Sequence, residues 1–72
     1  MDRNIIGERL RSLRKKKRKT ATEVAEACGI SQSALTMYEN GERIPRDEVK
    51  IRLAKYYGRT VQTIFFSKEA EI

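Results

Sequence analysis

The 72-residue sequence lacks histidine and has only one cysteine and one proline. Histidines and grouped cysteines supply many of the catalytic bases, nucleophiles and metal ligands of proteins. The acidic residues are scattered, mostly where helix caps or surface charges are expected, and there is no glycine-rich phosphate-binding loop. These absences argue against an enzyme and predict that the chain needs no metal or other cofactor.

The single cysteine, Cys28, cannot form a disulfide within the chain, which is typical of proteins of the reducing cytoplasm. Its place on the inner face of a predicted helix favours a small buried side chain over a redox sensor, because reactive thiols are exposed and have a lowered pKa. No apolar run approaches the roughly 20 residues of a membrane span, and no signal-peptide pattern opens the chain. We therefore expect no membrane partner and a cytoplasmic location.

The length suits one small domain, which we place at residues 1–67, followed by a short polar tail at 68–72. Apolar residues at helical spacing (Ile6, Leu10 and Leu13) predict a first helix with one buried face. A later helix is predicted from Asp47 to Tyr57, where Gly58 ends it, and a last short helix follows Thr60. The fold class predicted is all-α.

The segment from Thr20 to Gly41 predicts two short helices joined by a tight turn. Thr20 and Glu23 fit a capping box, in which each side chain accepts the other residue's free backbone N–H. Gly29 suits the left-handed residue that ends the first of these helices, and Ser31 suits the N-cap of the second. This arrangement is typical of a helix-turn-helix DNA-binding unit.

The second of these helices has an uncharged polar face. Leu35 and Tyr38, with Ala34, are spaced to face a core. The opposite side and the N-cap carry Ser31, Gln32, Ser33, Thr36 and Met37. Such side chains can hydrogen-bond to base edges or pack on thymine methyl groups, which makes them candidates for base contacts. An ordinary solvated helix face is the alternative.

The net charge of +6 is unevenly distributed. Residues 1–20 hold nine Lys or Arg against two acids, whereas residues 21–42 hold four glutamates and no base. Residues 43–72 hold seven bases against four acids. The run Arg14–Lys19 alone would suit a solvated segment, a nuclear-localisation-like patch or a membrane-surface patch. Beside a helix-turn-helix, however, it is placed to contact DNA phosphates and to accelerate association.

From Ile6 to Phe65 the sequence resembles the Cro/C1-type (Xre-like) helix-turn-helix regulators of phages and bacteria. The matching pieces include Gly7–Arg14, Thr20–Ala25, Gly29–Ser31, Tyr38–Gly41, Pro45, Leu53-Ala54, Gly58 and Val61–Phe65. The resemblance implies a compact bundle of five helices, lambda-repressor-like, whose third helix enters the major groove of double-stranded DNA.

The resemblance also implies roles for individual residues. The candidates for contact with the DNA backbone are Lys19, Thr20, Asn40, Arg43 and Arg46, although two exposed arginines in a turn are the alternative for the last two. Arg14 and Glu39 are expected to form a partly buried salt bridge that fixes the angle of the third helix. The candidates for contact between two copies are Tyr56, Ile64, Phe65 and Phe66, and the alternative is a monomer with those rings in its own core.

The sequence departs from the family pattern at two places. Ala21 stands where the family usually has a glutamine that contacts the DNA backbone and supports the third helix. We expect that contact to be lost or made instead by Thr20 or Lys19. The fourth helix has Asp47 and Lys50 where apolar residues are usual, so its packing is expected to be shifted.

These observations predict a bacterial or phage regulator, cytoplasmic and associated with the nucleoid, that binds a (pseudo)palindromic operator as a homodimer and acts as a repressor. No small-molecule effector is evident. The alternative is a protein-interaction module, such as an antitoxin or adaptor, that uses the aromatic C-terminal patch. RNA binding is disfavoured, because the aromatic residues are expected away from the basic face.

Overall fold

The computed structural model describes residues 2–68 and is all-helical over that range. Four α-helices are followed by a short π-helix: α1 Arg3–Lys16, α2 Ala21–Cys28, α3 Gln32–Glu39, α4 Asp47–Tyr57 and the π-helix Gln62–Phe66. The predicted all-α fold with five helices is confirmed. Most of the tail placed at 68–72 lies outside the described residues.

The capping residues determine where α2 and α3 begin and end. The Thr20 hydroxyl accepts the Glu23 N–H at 3.1 Å, and the Glu23 carboxylate accepts the Thr20 N–H at 3.0 Å. These two hydrogen bonds lower the pKa of Glu23, because they stabilise its charged form. Gly29 has φ 68° at the end of α2, and the Ser31 hydroxyl accepts the Ala34 N–H at the start of α3. The predicted helix-turn-helix boundaries are confirmed.

One apolar core lies between α1, α2, α3, α4 and the π-helix. Its largest fully buried side chains are Ile6, Leu10, Val24, Leu35, Leu53 and Ile64. Cys28 is buried beside them, as predicted, and burial raises the pKa of its thiol. These contacts hold the inner face of α3 and leave its other face outside the core.

Helices α1 and α3 approach each other closely at Gly7. A Cβ atom at this position would lie 2.8 Å from the carbonyl oxygen of Tyr38 and would also collide with the carbonyl oxygen of Glu39. These are backbone atoms, which cannot rotate away as a side chain could. Glycine is therefore required for the C-terminal end of α3 to lie directly on α1.

In α4, Lys50 occupies an inward-facing position that an apolar residue would ordinarily fill. Only 7% of this residue is exposed. Its ammonium lies 5.2 Å from the centre of the Phe66 ring and 3.4 Å from the Asp47 carboxylate. The long aliphatic stem is buried while the charge meets a carboxylate and an aromatic face. Ile51, the next residue of α4, is 48% exposed.

The last helix is anchored to α1 by Arg9, a residue that is 8% exposed. Its guanidinium donates to the carbonyl oxygens of Thr63 at 3.2 Å and Ile64 at 3.0 Å. The π-helical turn closes with a hydrogen bond from the Ser67 N–H to the Gln62 carbonyl at 2.8 Å. Arg9 thus satisfies carbonyl groups that the end of a helix leaves without an intrahelical partner.

The structure corrects two of the four residues predicted to contact a second copy. Ile64 and Phe65 are 0% and 2% exposed, because both side chains point into the core of their own chain. They have no surface to offer a partner. Phe66 is 50% exposed, and Tyr56 is half-buried against Tyr57 in an edge-to-face pair. Among the predicted dimer residues, only these two reach the surface.

We expect Gly7→Ala to lower the free energy of unfolding by about 1–3 kcal/mol, because the added methyl group would push α3 away from α1. Alanine has a higher helix propensity than glycine, so helix propensity alone would make the variant more stable. Urea unfolding followed by circular dichroism measures the change, with Glu8→Ala on the exposed side of α1 as the control. A Gly7→Ala variant as stable as the control would contradict the close approach.

Candidate nucleic-acid interface

The outer face of α3 is polar, uncharged and open to solvent. Gln32, Ser33 and Thr36 are exposed and Met37 is half-buried, and these four residues line one shallow concavity. On the opposite side, Leu35 and Tyr38 are buried in the core. The four side chains therefore form a continuous surface of hydrogen-bonding groups and one thioether, which suits the edges of base pairs.

Ser31 combines two roles at the start of α3. Its hydroxyl oxygen accepts the Ala34 N–H at 3.0 Å, which caps the helix. The hydroxyl proton is not used by that bond, and the residue is exposed. Ser31 can therefore donate to a ligand while it keeps its capping hydrogen bond.

The angle of α3 is fixed by an ion pair between Arg14 of α1 and Glu39 at the end of α3. The Arg14 guanidinium donates to the two carboxylate oxygens at 2.8 Å and 2.9 Å, in a bidentate arrangement. The side chain of Glu39 is only 4% exposed and that of Arg14 is 19% exposed. The hydrogen bond to Glu39 raises the pKa of Arg14, which stabilises the charged guanidinium.

Arg14 also fixes the segment that precedes α2, because its guanidinium donates to the Lys19 carbonyl at 3.2 Å. One guanidinium thus joins α1 to the segment before α2 and to the end of α3.

Beside the ion pair, the hydroxyl of Tyr57 is buried and has no hydrogen-bond partner within residues 2–68. Burial, followed by the Glu39 charge, raises the pKa of Tyr57.

Arg11, for which the sequence predicted no role, lies next to this ion pair. Its guanidinium is 3.8 Å from the Glu39 carboxylate and donates to the Asn40 side-chain oxygen at 2.6 Å. The Asn40 amide NH₂ group is thereby turned away from Arg11. Arg11 precedes Arg14 by three residues, a spacing that places both on one face of α1 and could have identified it.

The predicted backbone-contacting residues lie on both sides of α3 in the chain and are all exposed. Lys19 and Thr20 come just before α2, where Lys19 lies 3.8 Å from the Glu23 carboxylate. Asn40 ends α3, and Arg43 and Arg46 occupy the loop between α3 and α4. Arg43 and Arg46 line one concavity with Gly29 in the turn. Cationic and amide groups thus flank the uncharged face.

The negative charge of residues 21–42 is partly neutralised by contacts within the protein. Glu39 is buried against Arg14, and Glu23 caps α2 and contacts Lys19. The Glu42 carboxylate lies 3.5 Å from the Asn40 amide nitrogen. Because two of the four glutamates have cationic partners, the segment repels a polyanion less than its sequence alone indicates.

A sequence profile for helix-turn-helix domains matches residues 5–64, most of the chain, so the chain belongs to the helix-turn-helix domain family. It is 43% identical over 53 residues to an HTH-type transcriptional regulatory protein of Pyrococcus furiosus, a region that covers 74% of this chain and 17% of that protein. It is 28% identical over 68 residues to the cryptic phage CTXphi transcriptional repressor RstR of Vibrio cholerae, covering 94% of this chain and 61% of RstR.

The chain therefore spans less than two thirds of the length of either relative. Among solved structures, the crystal structure of the clp gene regulator ClgR from C. glutamicum superposes with a TM-score of 0.79 at 25% identity. The match covers 96% of this chain and 97% of that chain. These comparisons confirm the resemblance to Cro/C1-type regulators: the chain is a helix-turn-helix domain that is similar to transcriptional regulators.

The residues described by the structure include no group of three or more Cys, His, Asp or Glu side chains arranged to hold a metal ion. Within the same range, no helix has the length and apolar character needed to cross a membrane.

We expect Arg14→Ala to lower the free energy of unfolding by about 2–4 kcal/mol, because the buried Glu39 carboxylate would lose its bidentate partner. Urea unfolding measures the loss, and Lys15→Ala, which removes an exposed charge from the neighbouring position, is the control. If Arg14→Ala weakened DNA binding and left unfolding unchanged, Arg14 would instead be a phosphate contact.

Proposed function

We propose that this chain binds double-stranded DNA sequence-specifically, with α3 in the major groove, and represses transcription from the operator it occupies. The uncharged face of Gln32, Ser33, Thr36 and Met37, flanked by cationic segments, is the observation that carries the proposal. Base edges offer hydrogen-bond groups and methyls, whereas phosphates offer negative charge. The uncharged face of α3 therefore suits base edges, and the cationic segments beside it suit phosphates.

Ser31 and the four residues of this face are assigned to base contacts. Lys19, Thr20, Asn40, Arg43 and Arg46 are assigned to the DNA backbone, where they set register and supply most of the salt-dependent affinity. The exposed Lys15, Lys16 and Arg18 add positive potential beside α2. Repression is supported by the similarity to the phage repressor RstR. As part of the same proposal, we place the protein in the bacterial cytoplasm, associated with the nucleoid.

Binding as a homodimer is supported by the exposed apolar surface around Phe66. Phe66 lies between two concavities, one lined by Ile5 and the other by Ile51 and Val61. Ile5, Ile51 and Phe66 are each more than 40% exposed. A two-fold contact that seats each Phe66 against the partner would bury these side chains and present two copies of α3 to successive major grooves, about 34–36 Å apart.

Tyr56, the other predicted dimer residue that reaches the surface, is assigned away from the centre of this contact. Its ring lies 5.0 Å from the Lys17 ammonium, at the C-terminal end of α1, whereas Phe66 and Ile5 lie at the N-terminal end. Ile5 and Lys17 are twelve positions apart, which corresponds to about 18 Å along a helix. We therefore assign the dimer contact to Phe66.

Gln32→Ala should weaken binding to the cognate operator by about 1–3 kcal/mol and leave binding to random duplex DNA nearly unchanged, because a base contact is lost. Arg43→Ala is the contrasting variant. It should weaken binding to both duplexes and reduce the slope of log K against log salt by about one, because a phosphate contact is lost.

Fluorescence anisotropy titrations at several salt concentrations measure both effects. Equal losses on operator and random DNA for Gln32→Ala would exclude its role in base recognition.

Phe66→Ser should weaken self-association by at least about tenfold, because each dimer would lose two buried rings. Sedimentation equilibrium measures the dimer dissociation constant. Ile44→Ser is the control, because Ile44 is also an exposed apolar residue (39%) but lies in the loop after α3. Dimers that survive Phe66→Ser would place the contact elsewhere. A wild-type chain that stays monomeric on its operator would favour a protein-interaction role for this surface.

A further inference from the structure

A side-chain hydrogen bond joins the first turn of α2 to the first residue of α3. The Thr22 hydroxyl donates to the Gln32 side-chain carbonyl oxygen across 2.9 Å. Thr22 is the second residue of α2, and Gln32 begins the helix whose outer face is the candidate base-contacting surface. The bond therefore connects the supporting helix directly to a side chain at that surface.

This hydrogen bond has little to do with holding the fold together. Both residues are exposed, so either group could bond to water instead, and an exposed neutral hydrogen bond adds little to stability. The positions of α2 and α3 are already set by their caps, by the core side chains between them and by the Arg14–Glu39 ion pair. What the bond does restrain is the position of the Gln32 side-chain amide.

An unrestrained glutamine amide can present either its oxygen or its NH₂ group in a given direction, and the two differ as hydrogen-bonding groups. With the oxygen held by Thr22, the NH₂ group keeps both of its donor hydrogens and the oxygen keeps one lone pair. Rotating the amide by half a turn would exchange this bond for one from the NH₂ group to the Thr22 hydroxyl oxygen, so Thr22 can hold the amide in place in either orientation. Threonine is suited to this restraint, because its β-branched side chain has few rotamers.

We propose that Thr22 is a positioning residue that sets the base-pair specificity of Gln32. The inference rests on the proposed function, in which Gln32 contacts a base. By holding the Gln32 amide in place before DNA arrives, Thr22 removes an entropic cost of binding and fixes where the amide meets a base pair. An adenine edge, which needs an acceptor and a donor side by side, is the preferred partner.

The alternative role for Thr22 is a direct contact with a DNA phosphate. A phosphate oxygen accepts hydrogen bonds, and the Thr22 hydroxyl has one proton, which is donated to Gln32. The nearby Lys19 ammonium and the free N–H groups in the first turn of α2 are better donors to a phosphate. The two roles predict different behaviour on non-cognate DNA.

The test compares Thr22→Val with Thr22→Ser. Valine keeps the size and β-branching of threonine without the hydroxyl, whereas serine keeps the hydroxyl. Gln32→Ala and the double variant Thr22→Val/Gln32→Ala complete a double-mutant cycle. The probes are the duplex that wild-type protein selects from a random library, the same duplex changed at each base pair in turn, and a scrambled duplex, with thermal unfolding of each variant as a check on folding.

Thr22→Val should bind the selected duplex about 3–10-fold more weakly, bind the scrambled duplex unchanged and lose discrimination at the same base pair as Gln32→Ala. Thr22→Ser should remain within about twofold of wild type, because it retains the donor. In the Gln32→Ala background, Thr22→Val should have no further effect, because its only route to the DNA is through Gln32.

Three results would overturn the proposal, and they are distinguishable. Loss of discrimination by Gln32→Ala with wild-type behaviour of Thr22→Val would remove the role of Thr22 and leave the proposed function standing. Equal losses of Thr22→Val on both duplexes, with a reduced salt slope, would make Thr22 a phosphate contact. If Gln32→Ala discriminated between duplexes as well as wild type does, the base contact itself would be overturned, and the inference with it.

Discussion

The arrangement of this protein depends on the ion pair between Arg14 and Glu39. It is nearly excluded from water at the Glu39 carboxylate, and it joins the end of α1 to the end of α3. The same guanidinium holds the Lys19 carbonyl just before α2. Buried ion pairs contribute little net stability compared with apolar contacts, but they permit only a narrow range of geometries. The pair is therefore best understood as the device that sets the angle of α3.

Gly7 makes this geometry possible, because it lets the backbone of α3 lie directly on α1. Arg11 extends the same cluster outward to Asn40 at the C-terminal end of α3, and Thr22 restrains Gln32 at the N-terminal end. Polar side chains at both ends of the helix are thus ordered by neighbouring helices. An ordered surface loses less entropy on binding, which favours discrimination between similar DNA sequences.

The division of charge separates affinity from specificity. The acids of the α2–α3 segment are partly consumed by caps and ion pairs, while the cationic residues stand before α2 and after α3. In the proposed complex the cationic flanks supply a salt-dependent attraction for any DNA, and the uncharged face supplies the choice of sequence. The absence of charge on the outer side of α3 is thus as informative as the charge around it.

Much of the fold could be predicted from the sequence, because helix ends are encoded locally. Thr20 with Glu23, Gly29, Ser31 and Gly58 occupy the capping positions at which they were expected. The buried face of α1 and the burial of Cys28 follow from helical periodicity.

The features that could not be predicted are those that depend on which helices meet. The direction of the Ile64 and Phe65 side chains depends on how the π-helix packs on the other helices. The residue that anchors the π-helix, Arg9, lies 54 positions before Thr63, whose carbonyl it binds. Lys50 can be buried only because Phe66 and Asp47 lie next to it. At the candidate site, the outer face of α3 follows from periodicity. The Thr22–Gln32 and Arg11–Asn40 hydrogen bonds, in contrast, require the relative positions of two helices.

The most direct test of the central claim, that α3 recognises DNA sequence in a two-fold complex, is selection of duplexes from a random library at moderate salt, followed by sequencing of the retained pool. We expect an inverted repeat whose half-sites are about one helical turn apart. Retention of DNA without any shared sequence would contradict it. That result would mean that the cationic flanks bind phosphate while the uncharged face of α3 contacts no bases.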